Sequence, residues 1–287
     1  ALLKKLAEQY DIFNGDGPLK LRDGIELVFT GDYIDRGDNS RGIIKDLMLL
    51  IKHNPTQVHQ LFGNHELLAL ADLDIARDIL HFGSMEENCL DAYKLQSIHG
   101  YNGGTAFVSE FGNNQYLALQ HFSEELSRNG LIGQWMRNLK PFYVAHMDEK
   151  KILFVHGGIP KDITSKESLE SYVERFNIHM NWGTSGYGGS RKKYLDHPLV
   201  NGHSFFWDRQ IPSMEEDELQ KITEKLDIDY IVIGHTPQHK IINYFDKAFN
   251  IDVGMSPAYG KREPAAILFK QNGIFAFYVN QGEKQLA

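Results

Sequence analysis

The sequence predicts an α/β fold of packed mixed sheets and helices, and three observations carry the prediction. Short apolar runs at 26–30 and 58–62, each of strand length and bounded by glycine, flank a segment, 41–52, whose apolar residues recur at helical spacing. Four apolar runs end on a side chain able to ligate a metal with glycine directly beside it. Finally, four runs crowd the C-terminal part, at 241–245, 248–253, 265–269 and 274–279, with turn residues such as Gln271-Asn272-Gly273 between them.

In chain order, Ile43, Ile44, Leu47, Met48, Leu50 and Ile51 form the apolar face of an amphipathic helix, which Asn54-Pro55 terminates. Strand, helix, strand makes a crossover unit. Further strand-like runs lie at 152–155 and 230–233, and the closely spaced C-terminal runs predict a mainly antiparallel sheet. Two long stretches, 67–147 and 160–229, read as insertions flanking a site. The first is helical around 69–80 and 116–139; the second holds a Gly-rich loop, 183–190, and an acidic helix near 214–226. No internal repeat or Pro/Ser-rich linker divides the chain, so 1–287 reads as a single catalytic domain.

Composition narrows the function. With 42% hydrophobic and 24% charged residues, the 287-residue chain has the make-up of an ordinary globular protein. A net charge of −8 offers no cationic field for a polyanion, and Arg191-Lys192-Lys193 is the one basic cluster, so nucleic acid is not an expected partner. No apolar run reaches the roughly 18 residues of a membrane span. The single cysteine, Cys89, predicts a buried thiol in a reducing, cytoplasmic setting. The chain opens at Ala1 with a helical pattern, Leu2, Leu3 and Leu6, and no preceding strand, which reads as a fragment.

The chemistry sits where strands stop. Val28-Phe29-Thr30 runs into Gly31-Asp32, Leu61-Phe62 into Gly63-Asn64-His65-Glu66, Phe154-Val155 into His156-Gly157-Gly158, and Ile231-Val232-Ile233 into Gly234-His235-Thr236. A strand closing in this way puts its ligand at the carboxyl edge of a sheet, where open α/β sheets bind. Carboxylate, amide and imidazole without thiolate suit Mn, Fe or Zn. Such ions acidify bound water, and a pair of them clamps an in-line phosphoryl displacement. Taken singly, each motif has a plainer reading. Gly31-Asp32 also fits a strand exit, Asn64 a helix start, His156 and His235 core histidines, Arg209 a cation stacked on Trp207, and 183–190 a flexible loop. His99, His121, His179 and His203 lie outside any spaced cluster and carry no metal role.

Together, Gly31-Asp32-Tyr33-Ile34-Asp35-Arg36-Gly37, Gly63-Asn64-His65-Glu66, His156-Gly157-Gly158 and Gly234-His235-Thr236 resemble the signature of the PPP family of calcineurin-like metallophosphatases. The Gly-His-Thr form, preceded by Trp207-Asp208-Arg209, resembles the bacterial and Shewanella-like branch, with a secreted effector delivered to a host cytosol left open. The resemblance implies a calcineurin-like α/β/β/α sandwich with helical insertions and two divalent metal ions, Mn favoured over Fe or Zn. In it Asp32 bridges the ions and Asn64, His156 and His235 complete one of them. It implies His65 as proton donor to the leaving group, Asp35 as its orienting carboxylate, and Arg36 and Arg209 as phosphate ligands. The family's first-strand Asp-x-His motif has no counterpart in this sequence. The implied activity is hydrolysis of phosphoserine, phosphothreonine or phosphotyrosine in a phosphoprotein or phosphopeptide by hydroxide generated at the metals. A dinucleoside polyphosphate hydrolase or an inactive scaffold of the same fold stands as the alternative.

Overall fold

The computed structural model describes residues 2–15, 19–82, 88–183 and 190–287. Its strands are β1 (Leu27–Phe29), β2 (Val58–Gln60), β3 (Phe142–Met147), β4 (Lys150–Val155), β5 (Tyr230–Ile233), β6 (Ile242–Tyr244), β7 (Ala248–Asn250), β8 (Ala265–Lys270), β9 (Gly273–Tyr278) and β10 (Gly282–Gln285). The helices are α1 (Leu2–Tyr10), α2 (Ser40–His53), α3 (Asn64–Ala71), α4 (Leu73–Phe82), α5 (Cys89–Gln96), α6 (Thr105–Ser109), α7 (Gln115–Glu125), α8 (Leu131–Arg137), α9 (Lys166–Trp182), α10 (Arg191–Leu195) and α11 (Glu216–Leu226).

α2 forms because Ile44, Leu47 and Leu50 bury one stripe. It stops at Asn54, whose side chain takes the Leu21 N–H at 2.7 Å and donates to the Leu50 carbonyl at 2.9 Å, while Pro55 bars continuation. The crossover returns in parallel register, Leu27 facing Val58 and Phe29 facing Gln60. From there the chain 140–142 joins the pieces. Phe62 N–H donates to the Lys140 carbonyl at 2.8 Å, and Phe142 pairs with Val155. The carboxyl end of β2 is thereby brought beside that of β4.

The five-stranded sheet runs β3-β4-β5-β7-β6, with β4, β5 and β7 parallel and the two edge strands antiparallel to their neighbours. Period-two alternation gives this sheet two apolar faces. Leu153, Val155, Ile231 and Ile233 meet the helices, while Ile152, Phe154 and Val232 meet Ile267 and Phe269 of the second sheet, β8-β9-β10. On the far side of that sheet Ala266, Leu268 and Phe277 are covered by Leu6 and Tyr10 of α1. Helix, sheet, sheet, helix is the layer order the sequence implied.

Some elements depart from the sequence reading. The four C-terminal runs do not make one antiparallel sheet. β7 lies parallel beside β5 with β6 as its hairpin partner, and only β8 and β9, joined by β10, form the separate antiparallel sheet. β3, inside the first expected insertion, is an edge strand whose residues are mostly half-buried and so lack a clean apolar pattern. α9 was not expected, although Leu169, Tyr172, Phe176 and Met180 bury one face and Ser165 caps its start. Of the Gly-rich loop 183–190, residues 184–189 lie outside the described residues. Among the described residues, no helix is long and apolar enough to cross a membrane.

Candidate metal centre

The loop after β1 bends sharply. Gly31 has φ +96°, and a Cβ there would stand 2.7 Å from the Gly63 nitrogen and 2.9 Å from His156 Nδ1, so only glycine lets the ends of β1, β2 and β4 meet. Asp32, Asp35, Arg36 and His235 are themselves held at positive φ, +59°, +72°, +55° and +63°. Non-glycine residues in this region are uncommon and concentrate at functional sites.

Glu66, fully buried, clasps two of these loops. Its carboxylate accepts the Asp32 and Gly63 N–H groups at 3.0 Å and the Tyr33 N–H at 2.8 Å. The Gly63 bond is the return half of a capping arrangement, with Glu66 three residues into α3. Asp32 in turn accepts the His65 N–H through Oδ1 at 3.2 Å.

Around Asp32 the acceptors face one another. His156 Nδ1 donates to the Thr30 carbonyl at 2.7 Å, which turns Nε2 toward the cluster. That Nε2 stands 3.0 Å from Asn64 Oδ1 and 3.3 Å from Asp32 Oδ1. His235 Nε2 is buried with no hydrogen-bond partner. Its ring lies 5.0 Å from that of His156 and edge-on to Trp207 at 5.8 Å. A carboxylate, an amide oxygen and two imidazoles facing one point, one imidazole nitrogen being orphaned, form a donor set that fits a bound cation. The ligand atoms of Asp32, His156 and His235 lie within 4.8 Å of one another. Donors on one ion at about 2.0–2.2 Å stand at most ~4.4 Å apart, so the cradle is within a few tenths of an ångström of closing on one. Burial opposes the Asp32 charge, but His156, His65 and His235 outweigh it and hold the carboxyl well below its usual range. Burial and the nearby His156 push His235 down to about 3, so it stays neutral and able to ligate.

Behind this cradle His65 Nδ1 meets Asp35 Oδ2 at 2.5 Å. Burial works against a charged ring, yet Asp32 and Asp35 prevail and raise His65 to about 9, which keeps a proton on it at neutral pH. Arg36 Nη1 donates to Tyr259 Oη at 2.7 Å, and its carbonyl accepts from Ser256. Arg209 Nη1 donates to the His235 carbonyl at 3.0 Å and to Thr236 Oγ1 at 2.9 Å, which puts its guanidinium beside the fourth motif. Asp32, Asn64, His156 and His235 therefore come together, His65 and Asp35 stand next to them, and the two arginines flank the group. Sequence reasoning missed Glu66 as the clasp and His99, which lies 2.9 Å from Asp35 Oδ1. A Glu three residues into a helix was a signal for the first, but no local pattern announced the second.

The family model of the calcineurin-like phosphoesterases matches residues 3–239. Among curated relatives, the chain is 28% identical over 277 residues to Shewanella-like protein phosphatase 1 of Plasmodium berghei, covering 91% of this chain and 66% of that protein. It is 25% identical over 257 residues to an uncharacterized protein of Schizosaccharomyces pombe, covering 86% of this chain and 66% of the relative. The chain thus spans just under two thirds of the length of both. Among solved structures, the cold-active protein-tyrosine phosphatase of a psychrophilic Shewanella species superposes over 99% of this chain and 76% of its own, with a TM-score of 0.66 at 21% identity, a likeness of fold. With more than half its length matched by that model and its motifs gathered at the carboxyl ends of β1, β2, β4 and β5, the chain belongs to the calcineurin-like phosphoesterases.

Proposed function

We propose that the protein is a metal-dependent phosphoprotein phosphatase, with 1–287 forming one catalytic domain that hydrolyses phosphoserine, phosphothreonine or phosphotyrosine. The observation that carries this reading is the acceptor cluster, an orphaned His235 Nε2 and a His156 Nε2 facing two oxygens, set next to a carboxylate-backed imidazole. The calcineurin-like phosphoesterase family works with divalent metal ions. Asp32, Asn64, His156 and His235 would hold one ion, and Asp32 would share its carboxylate with a second. Oxygen and imidazole donors without thiolate suit Mn, Fe or Zn, and Mn is the ion the family resemblance favours. When bound, the ions supply water of lowered pKa as the nucleophile and neutralise phosphoryl charge.

The protein groups do the rest. Arg36 and Arg209 bind phosphoryl oxygens, a task suited to the planar guanidinium. As the P–O bond of the ester breaks, His65 gives the Nε2 proton to the departing oxygen, while Asp35 keeps Nδ1–H in place and stabilises the imidazolium beforehand. The proton released by the attacking water restores His65, so ester and water yield alcohol and phosphate. The phosphatase name of the 28% identical Plasmodium relative supports the substrate class, and the single buried Cys89 fits a reducing, cytoplasmic setting.

The test is elemental analysis of the purified protein, followed by Mn-supplemented turnover of phosphoserine, phosphothreonine and phosphotyrosine peptides against a symmetrical dinucleoside tetraphosphate. Near-stoichiometric metal and faster peptide turnover are expected. Preference for the nucleotide by orders of magnitude would replace this substrate class, and failure on every phosphate ester, an aryl phosphate included, would reduce the protein to a scaffold.

A further inference from the structure

Asp35 uses both its oxygens on imidazoles. Oδ2 meets His65 Nδ1 at 2.5 Å and Oδ1 meets His99 Nε2 at 2.9 Å, with all three side chains buried. We infer that His99 is a positioning residue for the proton donor, fixing Asp35 and through it the ring of His65. This rests on the phosphatase reading above.

The tautomer follows from the far side of the ring. His99 Nδ1 lies 2.6 Å from the Tyr93 hydroxyl, and burial together with Asp72 holds that phenol's proton firmly, so the O–H donates to Nδ1 and Nε2–H donates to Asp35. The backbone is pinned as well. Asp72 Oδ2 accepts the His99 N–H at 2.8 Å and the Ser97 hydroxyl, while Oδ1 takes Arg191 at 3.0 Å. The turn that carries His99 continues as a π-helical segment, Gly100–Gly104, and braces the next residue too. At Gly103, φ +102°, a Cβ would fall 2.8 Å from Arg36 Cγ. One irregular turn thus supports Asp35 and Arg36, two consecutive residues in the left-handed region that persist only where surroundings over-determine them. A carboxylate tied to His65 alone could swing about its side-chain torsions; tied also to a fixed second imidazole, it cannot.

A ring that merely filled space would also lie beside Phe122, as His99 does at 6.2 Å, so substitutions must separate shape from donor. His99→Phe keeps the ring and removes the N–H; His99→Gln places an amide N–H near the lost Nε2. Assays on the Mn-loaded chain compare phenyl phosphate, whose leaving oxygen needs a proton, with 4-nitrophenyl phosphate, whose leaving group does not. The Phe variant is expected to lower kcat on phenyl phosphate about 10- to 100-fold, the usual loss when an orienting partner goes. The nitrophenyl ester, KM and metal content should change little, and the Gln variant should recover most of the loss. An equal fall on both esters, or a Gln variant as impaired as Phe, would overturn the inference. If His99→Phe does not fold, Tyr93→Phe, which removes only the hydroxyl that sets the tautomer, must show the same split in smaller degree or the inference fails. If the wild type hydrolyses neither ester, the phosphatase reading fails, and positioning is judged by the downfield imidazole proton of His65 in NMR spectra. Its loss in the Phe but not the Gln variant supports the inference, and its persistence in both overturns it.

Discussion

At the strand ends His235 keeps a buried nitrogen without a partner, next to His156 Nε2, which faces the Asn64 and Asp32 oxygens. Some residues away in the helical insertion, Asp72, Tyr93, Ser97 and His99 are just as buried, yet every one has its hydrogen-bonding groups matched. A buried polar group left unmatched costs about 1–3 kcal/mol, so the His235 nitrogen calls for a ligand, whereas the second region finds its partners within the protein. The contrast separates a place built to receive from a place built to hold.

The largest expected effect breaks the receiving side. His235→Ala should strip the ion and the activity together without lowering the thermal midpoint of metal-free protein, because it removes an orphaned group. Full metal content by elemental analysis would contradict the assignment. Next, His65→Ala should slow alkyl phosphate turnover about 10²- to 10⁴-fold, the size of a lost general acid, with metal content retained. Loss of metal instead would make His65 a ligand. On the holding side, Asp72→Ala takes the acceptor from the Ser97 hydroxyl and the His99 N–H and the charge partner from Arg191, and should cost about 3 kcal/mol in urea unfolding, with the metal stoichiometry untouched.

The smallest effect concerns pH. Burial, and then Lys140, push His59 on β2 down to about 4. Its folded pKa lies below the unfolded value of about 6.5, so the unfolded chain binds the extra proton between these limits. The stability it contributes is complete above pH ~6.5 and is lost as pH falls toward 4. His59→Phe should flatten the pH dependence of the urea midpoint across that window; an unchanged slope would show that His59 is not its source.

The same contrast explains what could be read from the sequence. Asp32, Asn64, His156 and His235 were legible because an apolar run, a glycine and a ligand sit within a few residues of each other, a pattern the chain displays locally. The parallel crossover and α2 were legible for the same reason. His99 was assigned no role because its partners, Asp35 and Tyr93, meet it only through an irregular turn. The division of the C-terminal strands between two sheets was equally hidden, since 248–253 and 265–269 look alike as apolar runs and only tertiary pairing separates β7 from β8. β3 escaped for want of a clean alternation, but α9 did not have to: its buried residues recur at helical spacing and a serine cap precedes them.

Glu66 joins the loop after β1 to the opening turn of α3 through three backbone amides, all of them contacts between protein groups. A clasp made of protein groups alone predicts that loading is docking and not folding. Protein stripped by a chelator should keep its circular dichroism spectrum and recapture Mn in a single fast phase, whereas a chain lacking this clasp would have to order two loops each time and refill slowly.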